Sequence, residues 1–448
     1  MRKNVENKKV TVLGAARSGI AAAKLLQKHH ADVFVSDSAP TGQKQNEIAE
    51  LEKNKIEYEF GVHSDRAFDV DFVVLSPGIP YKSNVVQRFV KAGIPVYSEI
   101  EIASWFCRCG IIAVTGSNGK TTTTTLIGEM LKQKYPDAVI AGNIGQPFSA
   151  FVEDCDEKNW AVVEVSSFQL ETIDTFHPDV AVILNFAPNH LDRYDSYDDY
   201  LKAKWRITKN LTENDVFIYN LDDIKLSEWA NKLNCRKSGF DINHRHKDGA
   251  CFADNSIYIS GQALIEAQKI GIRGKHNIMN AMAAALAAGE AHIAADDIRK
   301  VLTEFRGVEH RLEFVGEING VKYVNDSKAT TVESLSYALQ SFREPIILIA
   351  GGKDKGSDFT KLNDFIDKNV RDLVLIGQAS EKMAIAWQNI KPIHFAGSLD
   401  DAVNLARNIS LPGDVILLSP ACASFDMFRD FEDRGRQFKT IVNKLKGD

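Results

Sequence analysis

The run Ile111-Ile112-Ala113-Val114-Thr115-Gly116-Ser117-Asn118-Gly119-Lys120-Thr121-Thr122 carries the architecture of this chain. It reads as a buried strand that runs into a glycine turn, with Lys and Thr at the opening of a helix. Backbone N–H groups at such a turn wrap a phosphate chain. Lys120 can reach the β- and γ-phosphates, and the Thr121 hydroxyl can face Mg²⁺. Gly116, Ser117, Asn118, Gly119, Lys120, Thr121 and Thr122 are therefore the candidate nucleotide loop. Only Ser117 and Asn118 separate the two glycines, a shorter spacing than the standard phosphate loop. The plain alternative is a glycine turn beside a surface lysine. The apolar strand before it and the threonine run at 121–125 after it favour the loop.

Strand-like runs lie on both sides. Residues 9–14, 32–37 and 72–75 alternate with a helical stretch over 18–29. Beyond the loop come Trp160–Val165 and Val180–Asn185, mixed pieces at Asp215–Tyr219 and Ser256–Ile259, and an alanine-rich helix from Asn280 to Ala288. Further strands are expected at Val321–Asn325, Pro345–Ala350, Asp372–Ile376 and Val415–Ser419. Short apolar runs alternating with helices indicate covered parallel sheets in an α/β fold. A chain of 448 residues exceeds one hydrophobic core. Boundaries fall near residues 100 and 305, giving domains 1–100, 101–305 and 306–448.

Net charge is −6, which argues against a nucleic-acid partner. Six scattered cysteines without a CxxC pair point to reduced thiols in a cytoplasmic setting. The polar N-terminus gives no expectation of a secretory signal, and no apolar run is long enough to span a membrane.

Other residues have chemistry that suits a nucleotide site. Glu164 ends a buried strand, where a carboxylate either caps the terminus or holds Mg²⁺. His190 follows a third strand. Lys204, by periodicity alone, is a solvated helix lysine. In the first domain, Gly14-Ala15-Ala16-Arg17-Ser18-Gly19 lacks the dinucleotide spacing. With Asp37 at the next strand end, it suits a nucleotide or sugar-diphosphate grip about as well as a nicotinamide site.

These residues together resemble the cytoplasmic Mur ligases of bacterial peptidoglycan synthesis, along the whole chain. The markers are the 115–122 loop, Glu164-Val-Ser-Ser-Phe-Gln-Leu-Glu171, Asn189-His-Leu-Asp-Arg-Tyr194, Gly274-Lys-His-Asn277, Val324-Asn-Asp-Ser-Lys-Ala-Thr330 and Leu418-Ser-Pro-Ala-Cys-Ala-Ser424. The loop alone fits the wider superfamily, including folylpolyglutamate synthases. The Ser-Ser-Phe-Gln-Leu-Glu and Ser-Pro-Ala-Cys-Ala-Ser runs favour the D-glutamate-adding branch.

The resemblance implies a Rossmann-like UDP-substrate domain, a central P-loop-type ATPase domain and a Rossmann-like C-terminal domain that binds the amino acid and closes. It implies ATP and two Mg²⁺ ions as cofactors, UDP-N-acetylmuramoyl-L-alanine and D-glutamate as partners, and a monomer. By the same resemblance, Ala15, Arg17, Ser18, Asp37, Ser38, Ser76, Gly78, Asn143, Ser166, Gln169 and His190 meet the UDP substrate. Asn277, Asn280, Arg311, Asp326 and Lys328 join the nucleotide loop at ATP, with Arg306 as the alternative to Arg311. Thr330, Lys355, Ser424 and Phe431 meet D-glutamate. Thr121, Glu164, His190 and Lys204, the last as a carbamate, hold metal. Lys120, Asn143, His190 and Lys204 serve the chemistry, which runs through an acyl phosphate.

Overall fold

The computed structural model describes residues 3–143, 145–187, 193–243, 248–354 and 356–446. The chain divides into two compact units, Met1–Phe305 and Arg306–Asp448.

The first unit holds two sheets. One is all-parallel and runs β3-β2-β1-β4-β5, built from β1 (Lys9–Leu13), β2 (Asp32–Asp37), β3 (Glu57–Phe60), β4 (Phe72–Leu75) and β5 (Val96–Ser98). Its central strands are buried because the apolar runs KVTVL and FVVL face cover on both sides. The second sheet has nine strands. They are β6 (Gly110–Thr115), β7 (Val139–Gly142), β8 (Trp160–Glu164), β9 (Val180–Ile183), β10 (Val216–Asn220), β11 (Arg236–Asp241), β12 (Ala250–Ala253), β13 (Ser256–Ile259) and β14 (Gln262–Glu266). Their order is β14-β13-β12-β11-β10-β9-β6-β8-β7. Strand β6 lies between β9 and β8 and is parallel to both, so its carboxyl end opens where neighbouring loops diverge. One face of this sheet packs on the helices Lys120–Leu131 and Lys275–Glu290. The latter helix starts five residues before the expected Asn280, because the preceding polar turn is already helical.

The helix Glu99–Phe106 joins the two sheets, and all but two of its residues are buried. Two of the buried residues are acids. Glu101 Oε1 accepts from Trp105 Nε1 (2.8 Å), Thr175 Oγ1 (2.6 Å) and Thr175 N (2.9 Å). Its Oε2 accepts from the amides of Asp174 (2.9 Å) and Phe176 (2.8 Å).

The second unit has a six-stranded sheet of β15 (Glu313–Ile318), β16 (Val321–Asn325), β17 (Ile346–Gly351), β18 (Val370–Ile376), β19 (Ile393–Phe395) and β20 (Val415–Leu418). The order is β15-β16-β20-β17-β18-β19, with only β15 antiparallel. Strands β16, β20 and β17 therefore present three adjacent carboxyl ends.

The cysteines depart from the expectation of reduced thiols throughout. Cys109, just ahead of β6, is disulfide-bonded to Cys155, 46 residues away. Parallel-sheet connections bring together positions that no spacing rule links. Cys107 Sγ lies 3.6 Å from Cys109 Sγ. Cys107, Cys235, Cys251 and Cys422 are free thiols. Among the described residues, no helix is long and apolar enough to cross a membrane.

Candidate active site

The 116–119 turn is held in place by side chains from outside the loop. Gly119 caps the helix Lys120–Leu131 in a left-handed conformation (φ 82°). A Cβ there would stand 2.2 Å from Asn280 Oδ1, so only glycine lets Asn280 reach the loop. Asn280 in turn donates to Asn277 Oδ1 (3.1 Å). The turn is held from behind by Asn185. Its Oδ1 accepts from the Asn118 amide (2.9 Å), and its Nδ2 donates to Asn118 O (3.1 Å). Ser117 Oγ donates to Ala187 O (2.8 Å) and sits 3.0 Å from the Tyr200 hydroxyl. Ser117 is thus spent on scaffolding.

Two lysines converge on one carbonyl. Lys120 Nζ donates to Gly116 O (2.9 Å) and Ser117 O (3.0 Å). Lys204 Nζ, on the helix Tyr197–Trp205, donates to the same Gly116 O (2.9 Å). Lys204 is not the solvated lysine that periodicity suggests: it is 2 % exposed. Burial drives its amine well below the usual lysine range, and the Lys120 charge pushes the same way against a partial pull from Glu164. Tyr200 lies one turn earlier on the helix, with its ring 4.7 Å below Lys204 Nζ.

Glu164 ends β8 and is 1 % exposed. Its Oε1 accepts from Asn143 Nδ2 (2.9 Å), and its carbonyl from the Asn143 amide (2.8 Å). Its Oε2 is buried with no partner among the described residues. A buried carboxylate oxygen without a donor suits a hard cation, so the residues present fit Mg²⁺. Thr121 is also buried at the loop. Thr122 follows it, half-buried. Ser166 and Gln169 form a capping box at the helix Ser167–Leu170, which occupies both side chains in scaffolding.

In the first sheet, three loops meet at the strand ends. Asp37 Oδ2 accepts from the Ala15 amide (2.7 Å), and Ser76 Oγ donates to Gly14 O (3.0 Å). Arg17, Ser38 and Gly78 are exposed there and Ser18 is half-buried. Arg193 donates to Pro77 O (3.4 Å) and stacks on the Phe168 ring (3.7 Å), tying this edge to the nine-stranded sheet.

In the second unit, Asp326 follows β16. Its Oδ2 accepts from Ser419 Oγ (2.8 Å), and its Oδ1 from the Leu312 amide (3.1 Å). Burial pushes its carboxyl up to about 7. Lys328 Nζ lies 5.9 Å over the Phe431 ring, and Thr330 is half-buried two residues on. Ser424 is buried after β20. Arg306 and Arg311 are both exposed. His190 and Lys355 lie outside the described residues.

Three family profiles match consecutive parts of the chain: a MurD N-terminal domain at residues 9–85, a Mur ligase middle domain at 114–288, and a Mur ligase glutamate ligase domain at 310–422. The chain belongs to the Mur ligase family. Its relatives include the UDP-N-acetylmuramoylalanine--D-glutamate ligase of Salinibacter ruber, 44 % identical over 98 % of this chain and 99 % of that one. The ligase of the same name from Chloroherpeton thalassium is 45 % identical, covering 99 % of each. Among solved structures, the UDP-N-acetylmuramate-alanine ligase of Thermotoga maritima shares the fold at TM-score 0.60 and 19 % identity, over 98 % of this chain and 99 % of that one. A pseudomurein peptide ligase from Methanothermus fervidus does so at 0.57 and 19 %, over 98 % and 100 %.

As a Mur ligase, the protein is an ATP-dependent amide-forming enzyme of peptidoglycan precursor synthesis with a three-domain α/β architecture. Sequence reasoning missed Asn185, Tyr200 and Arg193 as site-shaping groups. Tyr200 was findable: residues four apart on a helix share a face. Asn185 sits just past the end of β9, inside the strand expected to run to 185, and only the strand order reveals that it faces the loop.

Proposed function

We propose that this Mur ligase joins D-glutamate to UDP-N-acetylmuramoyl-L-alanine, using ATP. The observation that carries the reading is the end-to-end likeness, at 44–45 % identity, to ligases named for that reaction. Residues 1–100 would act as the Rossmann-like UDP-substrate domain, 101–305 as the P-loop-type ATP domain, and 306–448 as the amino-acid domain. The enzyme would work as a cytoplasmic monomer without nucleic acid or membrane.

A carboxylate resists amine attack because its carbon is shielded by negative charge. The alanine carboxylate therefore attacks the ATP γ-phosphorus, giving an acyl phosphate and ADP. The D-glutamate amine then attacks the acyl carbon, and phosphate leaves. Both steps load negative charge on oxygen, so fixed cations aimed there act more on the transition state than on bound substrate. Lys120 exchanges its hold on its own loop carbonyls for the phosphate chain. Asn143 is anchored by Glu164 beside the transferring group, and Asn277 and Asn280 serve the nucleotide. Lys204 in its neutral form adds CO₂ and loses a proton, becoming a carbamate with two acceptor oxygens. Thr121, Glu164, His190 and that carbamate would hold two Mg²⁺ ions, which neutralise phosphate charge. Asp37, Ala15 and Ser76 shape the UDP grip. Asp326 and Lys328 serve the nucleotide, and Thr330, Lys355, Ser424 and Phe431 serve D-glutamate.

The test is phosphate release and incorporation of labelled D-glutamate, with each of the three substrates omitted in turn. Release that requires all three, with label in the UDP-linked product, is expected. Turnover with a different amino acid and none with D-glutamate would overturn the assignment while leaving the family intact.

A further inference from the structure

The helix Phe431–Leu445 carries one fully buried arginine, Arg434, that no step above uses. Its Nε donates to Ser327 Oγ (2.9 Å), and its Nη2 to Ser327 O (2.8 Å) and Cys422 O (3.2 Å). Nη1 is buried without a partner among the described residues. It lies against Gly352, where a Cβ would come within 3.3 Å of Nη1 and 2.3 Å of Ala423 O. Gly352 also holds φ 129°, so both space and backbone demand glycine.

Those contacts follow from the sheet order. Ser327 lies beyond β16, Cys422 beyond β20 and Gly352 beyond β17, which are three neighbouring strands. One guanidinium thus reaches the carboxyl-end loops of all three. Each loop carries residues assigned above: Asp326 and Lys328, then Ser424, then Lys355. Ser327 Oγ also donates to Phe431 O (2.8 Å), which adds the start of the helix to the same knot. No carboxylate hydrogen-bonds the guanidinium among the bonds described; carbonyl and hydroxyl oxygens take its N–H groups, and Asp426 acts on the charge only through space. That arrangement costs stability compared with an apolar side chain of similar volume. A planar fork with fixed donors suits simultaneous registration of several loops, and a lysine ammonium does not.

We propose that Arg434 is a positioning residue that holds the three loops in one registration, and through them sets the D-glutamate site. The second half of this inference rests on the proposed function; the first does not.

Arg434→Lys keeps the charge and removes the fork. Two readouts are compared with wild type. The first is amide exchange at Asp326, Lys328 and Lys353, whose N–H groups bond Leu418 O, His310 O and Ala423 O. Exchange there should rise about tenfold or more while β16, β17 and β20 are unchanged. The second is steady-state kinetics. KM for D-glutamate should rise about tenfold or more, and KM for the UDP substrate should move by less than about twofold. Unchanged exchange in a folded variant overturns the proposal. So does a uniform rise across the second unit, which marks a fold strut only. If wild type does not incorporate D-glutamate, the functional reading fails and exchange alone decides the positioning. Should the lysine variant not fold, Ser327→Ala decides. It removes one of the three acceptors and should give the same pattern, weaker; no change in either readout overturns the inference.

Discussion

The linker helix Glu99–Phe106 and the glycine turn at 116–119 both bury charge, and they treat it in opposite ways. Glu101 in the helix has both oxygens filled by side-chain and backbone donors. At the turn, among the described residues, Glu164 keeps one buried oxygen without a donor, and the one hydrogen bond described for Lys204 Nζ goes to a carbonyl already shared with Lys120. A satisfied buried charge fixes architecture. A half-satisfied one costs stability in the free protein and is retained where a ligand will complete it. Glu99 stands between the extremes: Oε1 takes both the amide and hydroxyl of Ser149, and Oε2 has no partner among the described residues.

The contrast breaks first at Lys204. Lys204→Met should lower turnover by about 10²–10³-fold, the usual cost of losing one charge-stabilising group. It should not lower stability at neutral pH. The folded amine titrates below 10.5, so the folded state holds fewer protons than the unfolded chain between its lowered value and 10.5. Wild-type stability therefore rises with pH across that window, and methionine removes both the slope and the penalty. Turnover and thermal midpoints measured on one preparation check both halves. Lys204→Ala should regain part of its turnover with a small added carboxylate. Near-normal turnover without it would remove the carbamate role.

Glu101→Ala should do the reverse. It leaves the Thr175 hydroxyl and three amides without their acceptor, and the Trp105 indole with only Thr175 Oγ1 at 3.2 Å. A loss of about 3 kcal/mol in urea unfolding is expected, with little change in KM values for the properly folded fraction. A loss under about 0.5 kcal/mol would mean that the helix is not locked through this carboxylate.

The same contrast explains what could be read ahead of the structure. Apolar runs declare buried parallel strands, and Val321–Asn325 falls where expected. The polar or short strands were missed: EYEF at β3, VYS at β5 and EFVGEI at β15 owe their pairing to neighbours rather than to their own pattern. The strand-to-helix glycine turn was legible because its pattern is local. The burial of Lys204 was not, because its sequence neighbours Lys202 and Arg206 are polar or half-exposed and the burying groups, Gly116 and Tyr200, arrive by tertiary packing. Arg434 looks like one charge among several on a surface helix until the three strand ends are placed beside it.

A smaller effect is expected at Cys109–Cys155, which ties the segment feeding β6 to the segment feeding β8. Thiol titration in denaturant should find four free cysteines before reduction and six after. Reduction should cost about 2–3 kcal/mol in the first unit by freeing the unfolded chain. Six titratable thiols in the untreated protein would remove the crosslink.

The finest test lies at Glu99, where the two regimes meet. Burial raises its carboxyl above the ordinary 4.5, against the opposing bonds from Ser149. The folded state thus keeps a proton that the unfolded chain gives up. The stability this contributes is fully present below 4.5 and is lost as pH rises through the folded value. Glu99→Gln retains an oxygen for both Ser149 donors and never ionises. Its urea midpoint should match wild type at acid pH and exceed it at pH 8, with the gap opening just above 4.5. A constant gap at every pH would mean that the unpartnered Oε2 is solvated in the native protein, and that Glu99 belongs with Glu101 as a fully satisfied acid.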